Sequence, residues 1–503
     1  MTELVAAKST GGLLLPLAAG VTSAFLLIVA PHVYGATAFL ICAPLAGAFA
    51  RTYRVRQWLA FGAAFGIAVA VAGYVPWLAT LLSRYFGLGM AGSLALALVL
   101  ALTIAGGGGA TLGLMLAAAT RVRPVWRTLT VAAAWTLWEA TLQALPPYYP
   151  WISLPATQPA GVPWLILVRF AGAGALTFAV VAASCLLTTG LRGQLTRGAA
   201  AFLIATIAAA SASAPAQRAD RGDGCTVAAV DAGVSLTAHN LGSSLERYEM
   251  LSEAAVEPAP DVLIWPESAL PGPLNIDATL QDRLRRRVQA WGVGLIAGGR
   301  RLQWDGQWRA RYYNSAYLVD TAGTLSGYDK QRLVPLAEYW PWLPVERPAW
   351  LATEEVQPGD GAMIFAAGRC RLGALICFEG DQADLARSVA RQGAQALLVL
   401  TNDAQLPPQA VEHEIAQLRL RALETGLPVV RVANSGPSLV LDPYGRTTIL
   451  SLKAVMTAHL PPALSAAAVY LAQPFLYTVA AIHVATWLAV LVARRSTRRA
   501  ASR

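Results

Sequence analysis

The stretch Gly373–Glu379 reads GALICFE, an apolar run that ends in a cysteine and continues into an aromatic and an acidic residue. A short apolar run of this kind predicts a buried β-strand, Leu372–Ile376, with Cys377 directly after it. Most single cysteines on apolar strands are inert core residues. In an α/β fold, however, side chains that follow the strands converge on one edge, where ligand pockets form. Cys377 is therefore a candidate nucleophile.

In the sequence around this stretch, from about residue 214 to 465, predicted strands alternate with predicted helices, which is typical of an α/β domain. It is long enough to bury a core of its own. Predicted strands are Thr226–Val230, Val262–Trp265, Val293–Ala297, Ala316–Val319, Leu372–Ile376, Ala396–Leu400, Val429–Val432 and Ser438–Leu441. Predicted helices between them are Leu280–Trp291, Ala383–Gln392 and Val411–Glu424.

Two further charged residues follow predicted strands or accompany them. Glu267 comes just after Val262–Trp265 in the stretch IWPES, and Lys330 lies in the stretch YDKQRLVP at residues 328–335. A thiol needs a base or a cation to react as a thiolate, and a partly buried carboxylate can take its proton. An ammonium can stabilise both the thiolate and the oxyanion of an acyl intermediate. Either residue alone is more often solvated, so only the combination with Cys377 indicates catalysis.

The rest of the chain is too apolar for a soluble domain. Of the 503 residues 55% are hydrophobic and only 14% are charged, and mean hydropathy is +0.47. A helix needs about 20 apolar residues to cross a bilayer. The predicted spans are Gly11–Val29, Ala36–Ala50, Gln57–Trp77, Ala91–Ala119, Trp126–Leu142, Leu165–Thr188, Gly198–Ala212 and Val469–Ala493. This pattern predicts eight transmembrane helices, within residues 1–213 and 466–503.

The basic residues indicate how these spans are oriented. The net charge is +10, but the arginines form short clusters after the even-numbered spans rather than one face for nucleic acid. Examples are Arg51, Arg121, Arg192 and Arg494 with their basic neighbours. Such clusters mark the cytoplasmic side. The pattern therefore predicts that both termini are cytoplasmic and that residues 214–465 lie outside the membrane.

The remaining candidates for chemistry are few. The five cysteines show neither CxxC nor zinc-site spacing, and no spacing indicates a metal or an organic cofactor. Sequence alone leaves open whether Cys225 and Cys370 form a disulfide. His413 lies on a predicted helix between two glutamates, where a solvated helix face is the favoured interpretation over a partner for the thiol.

The chain resembles the nitrilase, or carbon–nitrogen hydrolase, superfamily, because Glu267, Lys330 and Cys377 occur in this order and with these flanking residues. The membrane spans narrow the resemblance to the apolipoprotein N-acyltransferases. It implies an αββα sandwich on an eight-helix transmembrane bundle. It also implies that Glu267 is the base, Lys330 the oxyanion stabiliser and Cys377 the nucleophile. Further pieces that match are the stretches TNDA (401–404), RLRALE (419–424) and NSG (434–436).

The same resemblance implies supporting residues and substrates. Glu338 matches a second carboxylate that orients the lysine, and Phe378 and Glu379 match the pair after the cysteine. A phospholipid would donate the acyl chain and a diacylated lipoprotein would accept it, through a thioester. The protein would be a multi-pass monomer of the bacterial inner membrane, without cofactor, metal or nucleic-acid partner. Its catalytic domain would lie on the periplasmic side.

Several positions depart from the family's pattern. Ala404 is followed by Gln405-Leu406-Pro407 instead of Trp-Phe-Gly, and the first strand is followed by Asp231-Ala232-Gly233 instead of Gln-Gly. These positions shape the substrate pockets, so two alternatives stay open. One is a membrane-anchored amidase or hydrolase with water as acceptor. The other is a paralogue that acylates a different amine, or an inactive binding relative.

Overall fold

A computed structural model of the chain describes residues 13–29, 36–45, 54–122, 124–145, 153–188, 224–234, 241–340 and 355–501. The chain divides into two compact units. The first contains residues Met1–Pro215 and Tyr470–Arg503, and the second contains Ala216–Val469. The predicted seventh span, Gly198–Ala212, lies outside the described residues. The sequence also makes the apolar residues Trp342, Leu343 and Trp350 candidates for a lid that touches lipid, and these residues too lie outside the described ones.

The regular secondary-structure elements that the structure describes in the first unit are helices. Its α-helices are Leu14–Val29, Val55–Val69, Val75–Phe86, Met90–Leu100, Gly106–Ala119, Pro124–Ala144, Ile166–Ala171, Ala173–Thr188 and most of Ala468–Ala501. Short π-helical turns, Ala70–Tyr74 and Ala101–Ala105, join neighbouring helices. Over the predicted second span, the described residues form only the 3-10 turns Ala36–Leu40 and Ala43–Leu45.

Three helices in the described part of the chain are long and apolar enough to cross a membrane. They are Val55–Gly73, Met90–Ala119 and Ala468–Ala485. Leu14–Ile28 and Ala173–Leu187 are apolar but shorter. A helix of about 20 residues spans the hydrocarbon core, so the count of eight stays a prediction.

Small residues let two of these helices approach closely. A methyl group at Gly62 would overlap the carbonyl of Gly109, and one at Gly109 would overlap the carbonyl of Gly62. On the neighbouring helix Pro124–Ala144, the Trp138 indole donates to the Gly108 carbonyl at 2.6 Å. Membrane helices usually pack through small residues, and the glycines of the predicted span Ala91–Ala119 make this kind of contact.

The second unit contains two six-stranded sheets of matching construction. The strands are β1 Thr226–Val230, β2 Val262–Trp265, β3 Gly294–Trp304, β4 Ala310–Val319, β5 Leu325–Asp329, β6 Ile364–Ala367, β7 Cys370–Ile376, β8 Ala396–Asn402, β9 Val429–Asn434, β10 Ser438–Leu441, β11 Thr447–Ser451 and β12 Val455–His459. The first sheet has the order β12-β1-β2-β3-β4-β5 and the second has the order β11-β10-β9-β8-β7-β6. In each sheet, three central strands are parallel (β1, β2 and β3; β7, β8 and β9) and the rest are antiparallel.

Three apolar layers define the architecture of this unit. A central core contains side chains from both sheets, such as Ile264 and Ile376. A second core packs the helices Leu241–Ala255 and Ala278–Trp291 against the first sheet. A third packs the helices Ala383–Arg391 and Pro408–Thr425 against the second sheet. Because each parallel strand is covered on both faces, its sequence is continuously apolar. The unit is therefore an αββα sandwich, as predicted.

A disulfide joins the two sheets at one end. Cys225, just before β1, is bonded to Cys370, the first residue of β7, across 145 residues of sequence. This answers the question that the sequence left open. Among the described residues the other cysteines, Cys42, Cys185 and Cys377, form no disulfide.

Candidate active site

Glu267 follows β2 and is buried. Its carboxylate Oε1 accepts a hydrogen bond from Asn314 Nδ2 on β4 at 2.7 Å. Only 7% of the residue is exposed. Burial raises the pKa of the Glu267 carboxyl, while the nearby Lys330 ammonium and the Asn314 amide act in the opposite direction. A carboxyl with a raised pKa is suited to take a proton from a thiol.

Lys330 directly follows β5 and faces Glu267. Its Nζ lies 3.0 Å from Glu338 Oε1 and 3.7 Å from Glu267 Oε1. The residue is 1% exposed. Burial opposes its charge, yet the pKa of Lys330 stays well above its usual value because of the Glu338, Cys377 and Glu267 side chains. The ammonium is therefore charged and available to an anion that forms nearby.

Glu338 and Asn314 hold this pair in place. Glu338 Oε1 accepts from Lys330 and from Asn314 Nδ2, the latter at 2.9 Å, while Oε2 accepts from the backbone N–H of Val334 at 2.7 Å. Asn314 therefore bridges both carboxylates. Nothing in the sequence marked Asn314, because its role depends on β4 lying between β3 and β5.

Cys377 is the first residue after β7 and opens the 3-10 turn Cys377–Asp381. Its backbone φ of 52° lies in the left-handed region, which is uncommon for a residue other than glycine and is often found at functional sites. Burial and the Glu267 charge raise the pKa of the Cys377 thiol, and Lys330 lowers it. The resting site thus favours a neutral thiol beside a base and a fixed cation.

The two residues after Cys377 are both buried but differ in their contacts. Glu379 Oε2 accepts from the Ile376 N–H and the Tyr328 hydroxyl, both at 2.8 Å. Its Oε1 accepts from the N–H groups of Gln331 and Arg332 at 2.6 and 3.0 Å. Burial raises the pKa of Glu379, and the three backbone hydrogen bonds and the Lys330 charge act against that shift. Glu379 therefore connects the turn that carries Cys377 to the loop that carries Lys330. Phe378 is 8% exposed and packs in the interior.

A glycine on β3 allows the backbone of Glu267 to lie against the sheet. A side-chain carbon at Gly298 would come within 2.6 Å of the Glu267 Cα. The Gly298 N–H donates to the Pro266 carbonyl at 3.2 Å. The position of Glu267 thus depends on a residue without a side chain on the neighbouring strand.

A second charged cluster, here called the Arg431 cluster, consists of Arg431, Asp403 and Glu414. Arg431 on β9 is fully buried and donates through both terminal nitrogens to Asp403, at 2.9 and 2.8 Å. Its Nη2 also donates to Glu414 Oε2 at 2.9 Å. The sequence indicated the stretch that contains Asp403, but it did not single out Arg431 or Glu414.

His413 does not lie on a solvated helix face, as the sequence predicted. It is half-buried rather than on a solvated helix face, with its Nε2 3.5 Å from Gln417 Nε2. Burial lowers the pKa of His413 to about 4. The prediction of a solvated face was wrong because Pro408–Thr425 packs against the second sheet and against the turn Cys377–Asp381.

The two departures from the family pattern are ordered in the structure. The Leu406 N–H donates to the Asp403 carbonyl at 2.9 Å, and Pro407 and Pro408 begin the next helix. The Asp231 carboxylate accepts from the Gly233 N–H at 2.7 Å and from the Ser435 N–H at 3.1 Å. Within the described ranges, no group of three or more His, Cys, Asp or Glu side chains is arranged to hold a metal ion.

Two comparisons find similarity to carbon–nitrogen hydrolases and to enzymes named apolipoprotein N-acyltransferase. Residues 226–467 match the carbon–nitrogen hydrolase family. The apolipoprotein N-acyltransferase of Geobacter metallireducens is 28% identical over 316 residues, which cover 59% of this chain and 60% of that protein. The enzyme of the same name from Allorhizobium ampelinum is 37% identical over 213 residues, covering 40% of this chain and 39% of its own length. The chain thus spans roughly 40 to 60% of these relatives.

Solved structures show a more distant likeness. An amidase from Nesterenkonia sp. is 19% identical with a TM-score of 0.37, over 50% of this chain and 94% of that one. The bacterial relatives and the apolar helices indicate a bacterial membrane protein. Residues 226–467, with their αββα fold, are therefore similar to carbon–nitrogen hydrolase domains, and the relatives described above are named apolipoprotein N-acyltransferases.

Proposed function

We propose that the chain is an N-acyltransferase that moves an acyl chain from a phospholipid to the α-amine of a diacylated lipoprotein, through a thioester on Cys377. The observation that carries the proposal is the buried Glu267–Lys330 ion pair, at 3.7 Å, whose two charges act on the Cys377 thiol. The relatives' name supplies the substrate class.

The first half-reaction forms the thioester. Glu267 takes the thiol proton, the sulfur of Cys377 attacks the ester carbonyl carbon, and Lys330 stabilises the resulting oxyanion. The carbon–oxygen bond then breaks, and Glu267 returns the proton to the glycerol oxygen as the lysophospholipid leaves. Glu338 and Asn314 keep the lysine and the base in position throughout.

The second half-reaction transfers the acyl chain. The neutral α-amine of the acceptor attacks the thioester carbonyl, a carbon–nitrogen bond forms and the carbon–sulfur bond breaks. One amine proton passes by way of Glu267 to the sulfur of Cys377. Each half-reaction uses the same base and the same cation, so one site can perform both.

We further propose that the apolar runs form eight transmembrane helices, and that residues 214–465 lie on the periplasmic side of the bacterial inner membrane. The basic clusters after even-numbered runs support this orientation. The Cys225–Cys370 disulfide supports it too, because disulfides persist in oxidising compartments such as the periplasm. Both substrates are membrane-anchored, so a monomer can meet them by lateral diffusion.

The test follows acyl groups on Cys377. The purified full chain is incubated with a phospholipid, and we expect a hydroxylamine-sensitive acyl adduct on Cys377 by mass spectrometry. Adding a diacylated lipopeptide should discharge it into a triacylated product. Cys377→Ala should abolish the adduct, whereas Cys185→Ala, which removes another thiol outside the disulfide, should retain it. Release of free fatty acid alone would favour the hydrolase, and no adduct would refute covalent catalysis.

A further inference from the structure

The Arg431 cluster has no part in the reaction as described, although it lies beside the reacting groups. Glu414 is on the helix Pro408–Thr425, which packs against the turn Cys377–Asp381. The charge of Glu414 acts on the Cys377 thiol and on Glu267. Glu414 is therefore on a helix that contacts the turn carrying the nucleophile.

The hydrogen bonds of Glu414 leave one oxygen for a ligand. Its Oε2 accepts from Arg431 Nη2 at 2.9 Å, and no hydrogen bond to Oε1 comes from the residues that the structure describes. Arg431 is fully buried and Glu414 is 18% exposed at its side chain. Arg431 therefore holds Oε2 of Glu414, while the Glu414 side chain stays partly exposed.

The charges around the thiol favour a cationic occupant. Of the groups that act most strongly on Cys377, three are carboxyls (Glu267, Glu414 and Glu338) and one is the ammonium of Lys330. The charge of Arg431 is already matched by Asp403, with which it forms two hydrogen bonds. A cation that enters here relieves the repulsion among the carboxylates.

We propose that Glu414 is a specificity-determining residue that binds the ammonium of the acceptor and accepts its first proton. This inference rests on the proposed acyl transfer. An α-amine is largely protonated at neutral pH, because its pKa is about 7.7–8.0, and an ammonium has no lone pair for attack. Glu414 takes one proton, which leaves a neutral amine beside the thioester. That amine attacks, its second proton reaches the sulfur by way of Glu267, and Glu414 releases its proton to water.

The surroundings of Glu414 fit a group that gains and loses a proton near neutrality. Burial raises the pKa of Glu414 to about 7, and Arg431 limits the rise. The titratable or charged groups that act on it or neighbour it are Arg431, Asp403, Glu267, Cys377, Asp381 and, on its own helix, Glu412 and His413. An ammonium at Oε1 adds a positive neighbour and so favours the carboxylate before transfer.

The experiment separates the two half-reactions. Cys377 is first acylated with phospholipid, and transfer to a diacylated lipopeptide is then followed in a single turnover as a function of pH. Glu414→Gln keeps an oxygen for Arg431 but removes the charge. We expect normal thioester formation and a transfer rate about 10²-fold lower below the pKa of the amine. The deficit should shrink as the pH rises through that pKa, because free amine then needs no base.

Matched variants make the result specific. Glu412→Gln removes the same charge from an exposed position on the same helix, and it should transfer at the wild-type rate. Glu414→Asp should recover part of the rate. Hydrolysis of the thioester without acceptor should be unchanged in Glu414→Gln, since water needs no deprotonation by this residue.

Three results would overturn the inference. Transfer by Glu414→Gln with the wild-type rate and pH profile would show that Glu414 does not serve the amine. Equal losses in transfer and hydrolysis would assign it to the thioester in general. Loss of thioester formation in Glu414→Gln, with recovery in Glu414→Asp, would assign it to the acylation step. A wild-type chain that forms no thioester would instead refute the proposed function on which this inference rests.

Discussion

At the scale of single residues, the site contains more carboxylate than cation. Lys330 lies between Glu338 and Glu267, and Asn314 donates to both carboxylates from the other side. A buried carboxylate without enough donors shifts to its neutral form. The ionised form of Glu267 therefore depends on an amide that takes no part in the chemistry.

The first prediction concerns that amide. In Asn314→Ala, the Glu267 and Glu338 carboxylates each lose the hydrogen bond from Asn314. A hydrogen bond to a charged group contributes about 1.5–3 kcal/mol, so thioester formation should slow by roughly 10- to 100-fold. Gln303→Ala, at an exposed position on β3, should leave the rate unchanged. Quenched-flow measurement of the Cys377 adduct checks both. A wild-type rate in Asn314→Ala would mean that Lys330 suffices to position the base.

The second prediction concerns pH. Glu267 must be ionised to take the thiol proton, and its pKa is raised by burial. The rate of thioester formation should therefore fall, as pH decreases, at a higher pH than the ordinary glutamate value of about 4.3. Asn314→Ala removes a hydrogen bond that lowers this pKa, so its acid limb should move to still higher pH. An acid limb in the same place in both proteins would separate Asn314 from the protonation of Glu267.

The sequence pointed to Glu267, Lys330 and Cys377 because each lies in a recognisable stretch, and the structure places Lys330 Nζ 3.7 Å from Glu267 Oε1. The sequence missed Asn314 and Glu414 for the same physical reason. Asn314 acts by reaching from β4 to the residues after β2 and β5, and Glu414 by accepting from Arg431 on β9. Neither contact has a short-range signature, since it exists only after the strands have paired.

At the scale of elements, the strand ends of the two sheets are tied together by Glu379. Its four hydrogen bonds join the turn after β7, in one sheet, to the loop after β5, in the other. The nucleophile and the cation thus come from different sheets, and one buried carboxylate sets the spacing between the segments that carry them.

The third prediction tests this link. In Glu379→Gln, an amide nitrogen that cannot accept replaces one carboxylate oxygen. At least one of the hydrogen bonds that the Glu379 carboxylate accepts should therefore be lost. We expect the free energy of unfolding to fall by about 1.5–3 kcal/mol and thioester formation to slow. Glu253→Gln, an exposed glutamate, should change stability by no more than about 0.5 kcal/mol. Thermal unfolding of the full chain in detergent measures both, and equal melting temperatures would contradict the link.

Sequence located most of the strands and helices, and its errors have physical causes. The β2 and β10 boundaries are as predicted, since both strands are buried throughout. The edge strands β5, β6, β11 and β12 and the helix Leu241–Ala255 were not predicted. That helix has few apolar residues, and β11 is largely exposed. Elements with one thin apolar face give weak periodicity, so tertiary packing decides their structure.

The fourth prediction concerns the helix pair of the first unit. At Gly109 any side chain would overlap the Gly62 carbonyl, whereas a carbon at Gly107 would meet no atom within 4 Å. Gly109→Val should therefore push the helices apart and lower the melting temperature in detergent. Gly107→Val, with the same change in helix propensity, provides the control. Equal melting temperatures for the two variants would show that the close approach contributes nothing to stability.

At the scale of the whole molecule, the question is on which side of the membrane the catalytic unit lies. The disulfide between Cys225 and Cys370, which are 145 residues apart in sequence, could not be predicted from the sequence, because connectivity cannot be deduced from spacing. The disulfide now adds a chemical argument to the pattern of basic clusters. A disulfide that closes so long a loop stabilises a fold by about 4–5 kcal/mol in chain-entropy models, but only where it can form and persist.

The fifth prediction follows from that orientation. A cysteine placed at Trp308, which is 82% exposed in the second unit, should react with a membrane-impermeant maleimide on intact spheroplasts. A cysteine placed at Arg498, in the basic terminal segment, should react only after permeabilisation. Both variants are made in a chain that lacks Cys42, Cys185 and Cys377, the cysteines outside the disulfide, so the label reports the new thiol alone. The opposite pattern would place the unit in the cytosol, where thiols are kept reduced, and would remove both the disulfide and access to periplasmic lipoproteins.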